Sequence, residues 1–291
     1  MKKIVLLVTL ILGLSGLMIN NNDISKEEKL ENISIINKDG KTIKERFNTP
    51  NNFIRVEAKQ DSFAEYLRNI PVKQDGEVVR YYNGDIKRNQ KSCAAVIDLD
   101  VGKKDLQQCA DAVMRLRGEY LYENHKFDSI NFNLTNGFKM EYLKWIEGYR
   151  VKVDGNKTEW VKKAKENDSY ENFREFMEFV FIYAGTMSLS NELESINVEN
   201  IKIGDVIIEG GHPGHAVIVV DKCVNKNSNK ELYLLAQSYM PAQNIHVLTN
   251  LNNLEIAPWY DLENKKIIKT PEWEFDNEDI KRFKEAFWCI N

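Results

Sequence analysis

Three observations predict an α+β fold in which helices come first and an antiparallel sheet follows. Apolar residues recur near the 3.6 period after Asp105 and again after Asp168, and from Ile201 the pattern changes to period-two and continuous apolar runs. The chain has 291 residues, 43% of them apolar, with only 6 Pro and 15 Gly, so a sizeable core is available and collagen-like or low-complexity classes are excluded. Basic and acidic side chains number 40 and 44, for a net charge of −4. A nucleic-acid binder needs a cationic excess to displace counterions, so that partner class is set aside.

The N-terminus addresses the compartment. Lys2 and Lys3 precede an apolar stretch from Ile4 to Ile19 broken only by Thr9, Gly13, Ser15 and Gly16. This reads as an export signal over 1–19, intermediate in length between a signal-peptide core and a span of roughly 20 residues, so cleavage and retention as a membrane anchor both stay open. The protein is thus expected outside the cytoplasm or anchored facing outward. Residues 20–50 are rich in Asn, Lys, Glu and Asp and read as a polar linker, with the folded domain over 51–291.

Within that domain, Ser62-Phe63-Ala64-Glu65 is a capping box for a short helix that Pro71 stops. Gly76 to Tyr82 and Ala94 to Leu99 have the composition of strands. Asp105 to Gln108 is a second box, opening a helix with Leu106, Cys109, Ala110, Val113, Leu116, Tyr120 and Leu121 at helical spacing. Asp168-x-x-Glu171 opens a third, whose stripe of Phe173, Phe176, Met177, Val180, Phe181, Ala184 and Met187 is core packing. Strands follow at Val206 to Ile208, Ala216 to Val220, Tyr233 to Ala236 and Ile245 to Leu248, joined by Gly210-Gly211-His212-Pro213-Gly214 and by the polar turn Asn225 to Lys230.

Two residues stand out chemically. Cys109 sits in the first helical turn, where free N–H groups and the positive end of the dipole favour thiolate; a small buried residue on the apolar face is the structural alternative. His215 follows a Pro-Gly turn and begins a buried strand, a position that holds an imidazole rigidly for acid/base work.

These residues carry a resemblance. Gly204-Asp205-Val206-Ile207-Ile208 and Gly214-His215-Ala216-Val217-Ile218-Val219 resemble the G-D strand and the following H-V-G/A-I-V strand of the NlpC/P60 and CHAP cysteine peptidase/amidase families, papain-like cell-wall enzymes. Gln108-Cys109-Ala110-Asp111-Ala112-Val113 is similar to their helix-opening D-C-S-G motif, with Gln for Asp and Ala-Asp for Ser-Gly, and Gln237 falls where the third member belongs. The resemblance implies a papain-like helix plus antiparallel sheet with added N-terminal elements, no cofactor, and a Cys109-His215-Gln237 triad. That triad would work as a thiolate–imidazolium pair oriented by an amide, with cell-wall peptide or glycan as substrate. An oxyanion would lie against the Cys109 N–H and one donor from Gln107, Gln108 or Tyr82. The segments around Cys109 and around Gln237-Ser238-Tyr239-Met240-Pro241 also resemble an exported bacterial family known only as a domain of unknown function. A thiol deacylase acting on lipid and a non-catalytic exported binding domain are the rival readings.

Cys93, Cys223 and Cys289 read as packing or disulfide positions. His212, His215, Asp221 and Cys223 form a weak zinc alternative, and Asp98 and Asp100 a solvated face. Tyr239-Met240-Pro241, Pro258-Trp259-Tyr260 and Thr270-Pro271-Glu272-Trp273 are loop anchors or the wall of a cleft.

Overall fold

A computed structural model describes residues 34–284. The signal or anchor read over 1–19 and Cys289 lie outside the described residues. The helices are α1 (Ile43–Arg46), α2 (Phe63–Asn69), α3 (Cys109–Glu123), α4 (Tyr142–Ile146), α5 (Tyr170–Tyr183) and α6 (Thr186–Glu192). The strands are β1 (Phe53–Arg55), β2 (Cys93–Val96), β3 (Asn131–Asn133), β4 (Lys139–Glu141), β5 (Tyr149–Asp154), β6 (Lys157–Lys162) and β7 (Glu194–Ser195). They continue with β8 (Val206–Glu209), β9 (His215–Asn225), β10 (Glu231–Gln237), β11 (His246–Leu248), β12 (Ile267–Lys269), β13 (Glu274–Asp276) and β14 (Ile280–Arg282). None of the described helices is long and apolar enough to cross a membrane.

The main sheet has eight strands in the order β2-β11-β10-β9-β8-β14-β7, with β1 paired to the far end of β9, and every pairing is antiparallel. The α+β class is therefore as the sequence predicts. The continuous apolar run of β9 is explained by burial on both faces. Ala216, Ile218 and Val220 lie under α3 in the cluster that holds its Val113 and Leu116, and α5 adds Phe173 and Met177 to that cluster from the far side of α3. Val217 and Val219 pack on the opposite face with Tyr233, Leu235, Ile268 and Phe275, the last two from the β12–β13 hairpin. An irregularity opposite Leu234 and Leu235 breaks the alternation on β9, so that Cys223 joins the helix-side cluster that Val220 also occupies. A one-residue slip in a strand exchanges its faces.

The structure corrects several boundaries. Residues 34–50 of the expected linker are folded: Thr42 caps α1 by accepting the Glu45 N–H at 3.2 Å, and Ile43 and Phe47 are fully buried. Gly76 to Tyr82 is a loop with isolated bridges, Arg80 to Ile86 and Tyr81 to Gln243, and is no strand of the sheet. Helix α3 starts at Cys109, and its reciprocal acid is Asp111, whose Oδ2 accepts the Gln108 N–H at 3.0 Å. Asp105 instead accepts the Ala242 N–H at 2.7 Å, which ties the approach to α3 to the segment after β10. Ser169, not Asp168, caps α5.

Candidate active site

His215 opens β9, and its side chain is 1% exposed. Period two puts it on the Val217 face, in a box of rings: Tyr239 at 4.8 Å, Trp273 at 5.3 Å and Phe275 at 5.8 Å between centroids, the last nearly parallel at 22°. Its Nε2 lies 2.8 Å from Gln237 Oε1 at the end of β10. The sequence-predicted pair His215–Gln237 is thus brought together.

Cys109 is the first residue of α3 and is buried. Ala216, the residue after His215, is fully buried on the helix face, and its small side chain lets the α3 terminus settle there. The backbone N–H groups of Cys109, Ala110 and Ala216 bear on the thiol and favour its ionised form. They do not win. Burial, aided by the Asp111 carboxyl, pushes the thiol up to about 11, while burial pushes His215 down to about 4 against the Gln237 hydrogen bond and the Glu272 charge. In place of the expected thiolate–imidazolium pair, the thiol and the imidazole are each neutral, and the hydrogen-bond partner of the imidazole is Gln237. In the free protein, iodoacetamide at pH 6.5 should label Cys109 slowly, with labelling rising only above about pH 9; rapid labelling at pH 6.5, read by peptide mapping, would contradict this.

The site extends beyond the three residues named from sequence. Gln237 Nε2 donates to Glu272 Oε2 at 2.7 Å. Lys87 Nζ donates to the same oxygen at 2.6 Å, and Asn89 Nδ2 approaches Oε1 at 3.4 Å. Trp273 is pinned by its Nε1 donating to Glu209 Oε2 at 3.0 Å. Sequence reading took 270–273 for its aromatic and missed the carboxylate between Pro271 and Trp273. Lys87 had no local signal, because it lies in an irregular loop.

His246 on β11, the register partner of Gln237, was missed as well. It is fully buried, its Nδ1 is 3.0 Å from the Asn244 carbonyl, and its Nε2 has no partner. Burial, with the Lys87 charge adding, pushes it down to about 4. Relative to the ordinary value of 6.5, this contributes stability above pH 6.5 that is lost as the pH falls to about 4, because the unfolded chain takes the proton first. The buried Asp111 carboxyl, held well above its usual range by desolvation, acts in the opposite sense, so the comparison must be between variants. The stability advantage of wild type over His246→Gln should shrink by about 3 kcal/mol between pH 7 and pH 4 in urea titrations. A pH-independent difference would contradict it.

The remaining candidates separate. Gln107 is turned along α3 by Arg115 Nη1, which donates to its Oε1 at 2.9 Å, Gln108 Nε2 donates to Asp105 Oδ1 at 3.1 Å, and the Tyr82 N–H donates to the Ala242 carbonyl at 2.9 Å. The donors that bear on the sulfur are the backbone N–H groups of Ala110, Ala216 and Cys109, those of Cys109 and Ala110 being free at the start of α3. Of the zinc-type set, Asp221 is paired with Arg55 and Arg68 and His215 with Gln237, and among the described residues no group of three His, Cys, Asp or Glu converges. Cys93, Cys109 and Cys223 are free thiols. Burial pushes Cys93 and Cys223 up to about 12, as inert packing thiols. Asp98 is exposed, and Asp100 pairs with Arg174 at 2.6 Å. Trp259 is a loop anchor, its Nε1 donating to the Asn48 carbonyl at 2.9 Å, while Tyr239 and Trp273 belong to the site wall.

The fold and site define an α+β protein with a buried cysteine at a helix start, the Ala216 N–H of β9 bearing on its thiol, and a buried His215–Gln237 pair. The chain belongs to a family described as Domain of unknown function (4846), whose model matches residues 43–282. No curated protein and no solved structure matches the chain.

Proposed function

We propose that this protein is an exported, papain-like thiol hydrolase or acyl transferase acting through Cys109, His215 and Gln237, with an amide of cell-wall peptide as the substrate class. The observation that carries the reading is the 2.8 Å contact between His215 Nε2 and Gln237 Oε1 at the start of β9, the next residue of which, Ala216, has its backbone N–H bearing on the Cys109 thiol. That contact engages one ring nitrogen and leaves Nδ1 for proton transfer. The basic, then apolar N-terminal stretch supports export.

Because thiol and imidazole are both neutral, the chemistry runs by general base catalysis and does not start from a resting ion pair. As Cys109 Sγ bonds to the acyl carbon, its proton passes to His215 Nδ1, and the carbonyl oxygen takes the charge against the Cys109 and Ala110 N–H groups. Collapse breaks the C–N bond, and the amine leaves with the proton from Nδ1. Water, or an acceptor amine in a transferase, then attacks the thioester while giving its proton to Nδ1, and the thiol is restored.

A non-catalytic binding domain is the competing reading, and the buried thiol, 9% exposed, favours it. The test is acylation by p-nitrophenyl acetate followed by peptide mass mapping. An acetyl group confined to Cys109 is expected. Labelling spread evenly over Cys93, Cys109 and Cys223, or no labelling, would favour the binding domain.

A further inference from the structure

We infer that Glu272, paired with Lys87, is a positioning residue that fixes the Gln237 amide and thereby holds His215 in the tautomer with its proton on Nε2 and its lone pair on Nδ1. The inference rests on the Cys–His–Gln reading and extends it outward by two residues.

A glutamine amide is nearly symmetric in shape, so packing alone does not decide which end faces the imidazole. Its partners decide. The far side of Gln237 meets Glu272 Oε2 at 2.7 Å, and that same oxygen meets the Lys87 ammonium at 2.6 Å. An ammonium has only donors, and a carboxylate paired to it only accepts. The Gln237 group facing Glu272 must therefore be the NH2, which turns Oε1 toward His215. An amide oxygen can only accept, so the 2.8 Å contact requires a proton on Nε2. Directionality thus passes from Lys87 through Glu272 and Gln237 to the ring, and Nδ1 is left unprotonated.

The carboxylate is delivered by a rigid turn. Thr270 and Trp273 close the β12–β13 hairpin through a 2.8 Å backbone bond, a Trp273 N–H to Thr270 Oγ1 bond at 3.1 Å, and the Trp273–Glu209 bond. Lys87 is 5% exposed and is also steadied by Ser92 Oγ at 3.3 Å. A surface ion pair has no need of such burial.

His246 supplies an internal reference. Its Nδ1 faces a carbonyl, so it holds the opposite tautomer, with the proton on Nδ1. Long-range proton–nitrogen correlation spectra of protein carrying ring-labelled histidine should show His215 protonated at Nε2 and His246 at Nδ1, each assigned by its substitution to Gln. A wild-type His215 protonated at Nδ1 would overturn the inference at once, whatever the variants do.

Glu272→Gln should keep the wild-type pattern, because Lys87 holds the new amide oxygen toward Gln237. The Lys87→Met/Glu272→Met double variant removes both charges together and orphans neither. With His246 unchanged as evidence of the fold, it should show both tautomers at His215 and slow acetylation of Cys109 by p-nitrophenyl acetate at least twofold. A single Nε2–H tautomer persisting in the double variant would overturn the positioning role. The tautomer spectra do not depend on turnover, so a wild-type Cys109 inert to the ester would fail the thiol-enzyme reading separately, with the spectra still deciding the role of Glu272.

Discussion

Replacing Cys109 by Ala is expected to abolish release of amine from peptidoglycan fragments while leaving the protein folded. Alanine keeps the Cβ that contacts the sheet and suits a first helical turn, and it removes one buried atom, at about 1 kcal/mol or less. His215→Gln should lower the rate by about 10²- to 10⁴-fold, the range of a lost general base, and Gln237→Ala should lower it less by loosening the imidazole in its ring box. The measurement is amine release from defined cell-wall fragments alongside a lipid-ester panel, which separates the amidase from the deacylase. Circular dichroism of each variant confirms the fold. If wild type and Cys109→Ala bind the fragments equally and neither releases product from any panel member, the catalytic reading is lost and the binding domain replaces it.

Much of this arrangement was legible because it rests on local signals. The capping serine at 62, the α5 stripe from Phe173 to Phe181 and the strands from 206 to 248 are set by periodicity and turn chemistry, which act over a few residues, whereas Met187, read into the same stripe, lies in α6 and is exposed. His215 was found because it begins a buried strand, and Gln237 through the resemblance, in which it falls where the third member belongs. What sequence could not show depends on long-range placement. Lys87 and Glu272 lie far apart in the chain and meet only because the β12–β13 hairpin folds over the sheet. The charge state of Cys109 was misread for a related reason: the helix start is local and favours thiolate, whereas the burial that outweighs it comes from the sheet packed against α3. Residues 34–50 read as linker from their polar composition, yet Ile43 and Phe47 are enough to seat that segment in the core.

Asp221 should prove the most costly single truncation outside the site, because one carboxylate there serves three elements. On β9, Oδ2 accepts from Arg55 Nε of β1 at 2.7 Å, and Oδ1 accepts from Arg68 Nε of α2 at 2.7 Å and from the Lys222 N–H at 2.8 Å. The side chain is fully buried, and Arg68 is 8% exposed. The irregularity in β9 is what makes this possible: strict alternation from Val217 and Val219 would turn residue 221 toward the β12–β13 hairpin, and the slip turns it toward α2 instead. Asp221→Ala leaves two guanidinium groups with little water and no counter-charge, a change that costs about 3–5 kcal/mol when a buried pair loses one partner. Asp221→Asn keeps the volume and some acceptor capacity and should cost less. Urea unfolding at pH 7 measures both, and since Asp221 touches neither His215 nor Cys109, the folded fraction of each variant should acetylate at the wild-type rate. A loss below about 1 kcal/mol for Asp221→Ala would mean that water reaches the arginines and that the junction of β1, α2 and β9 is held by its apolar contacts alone.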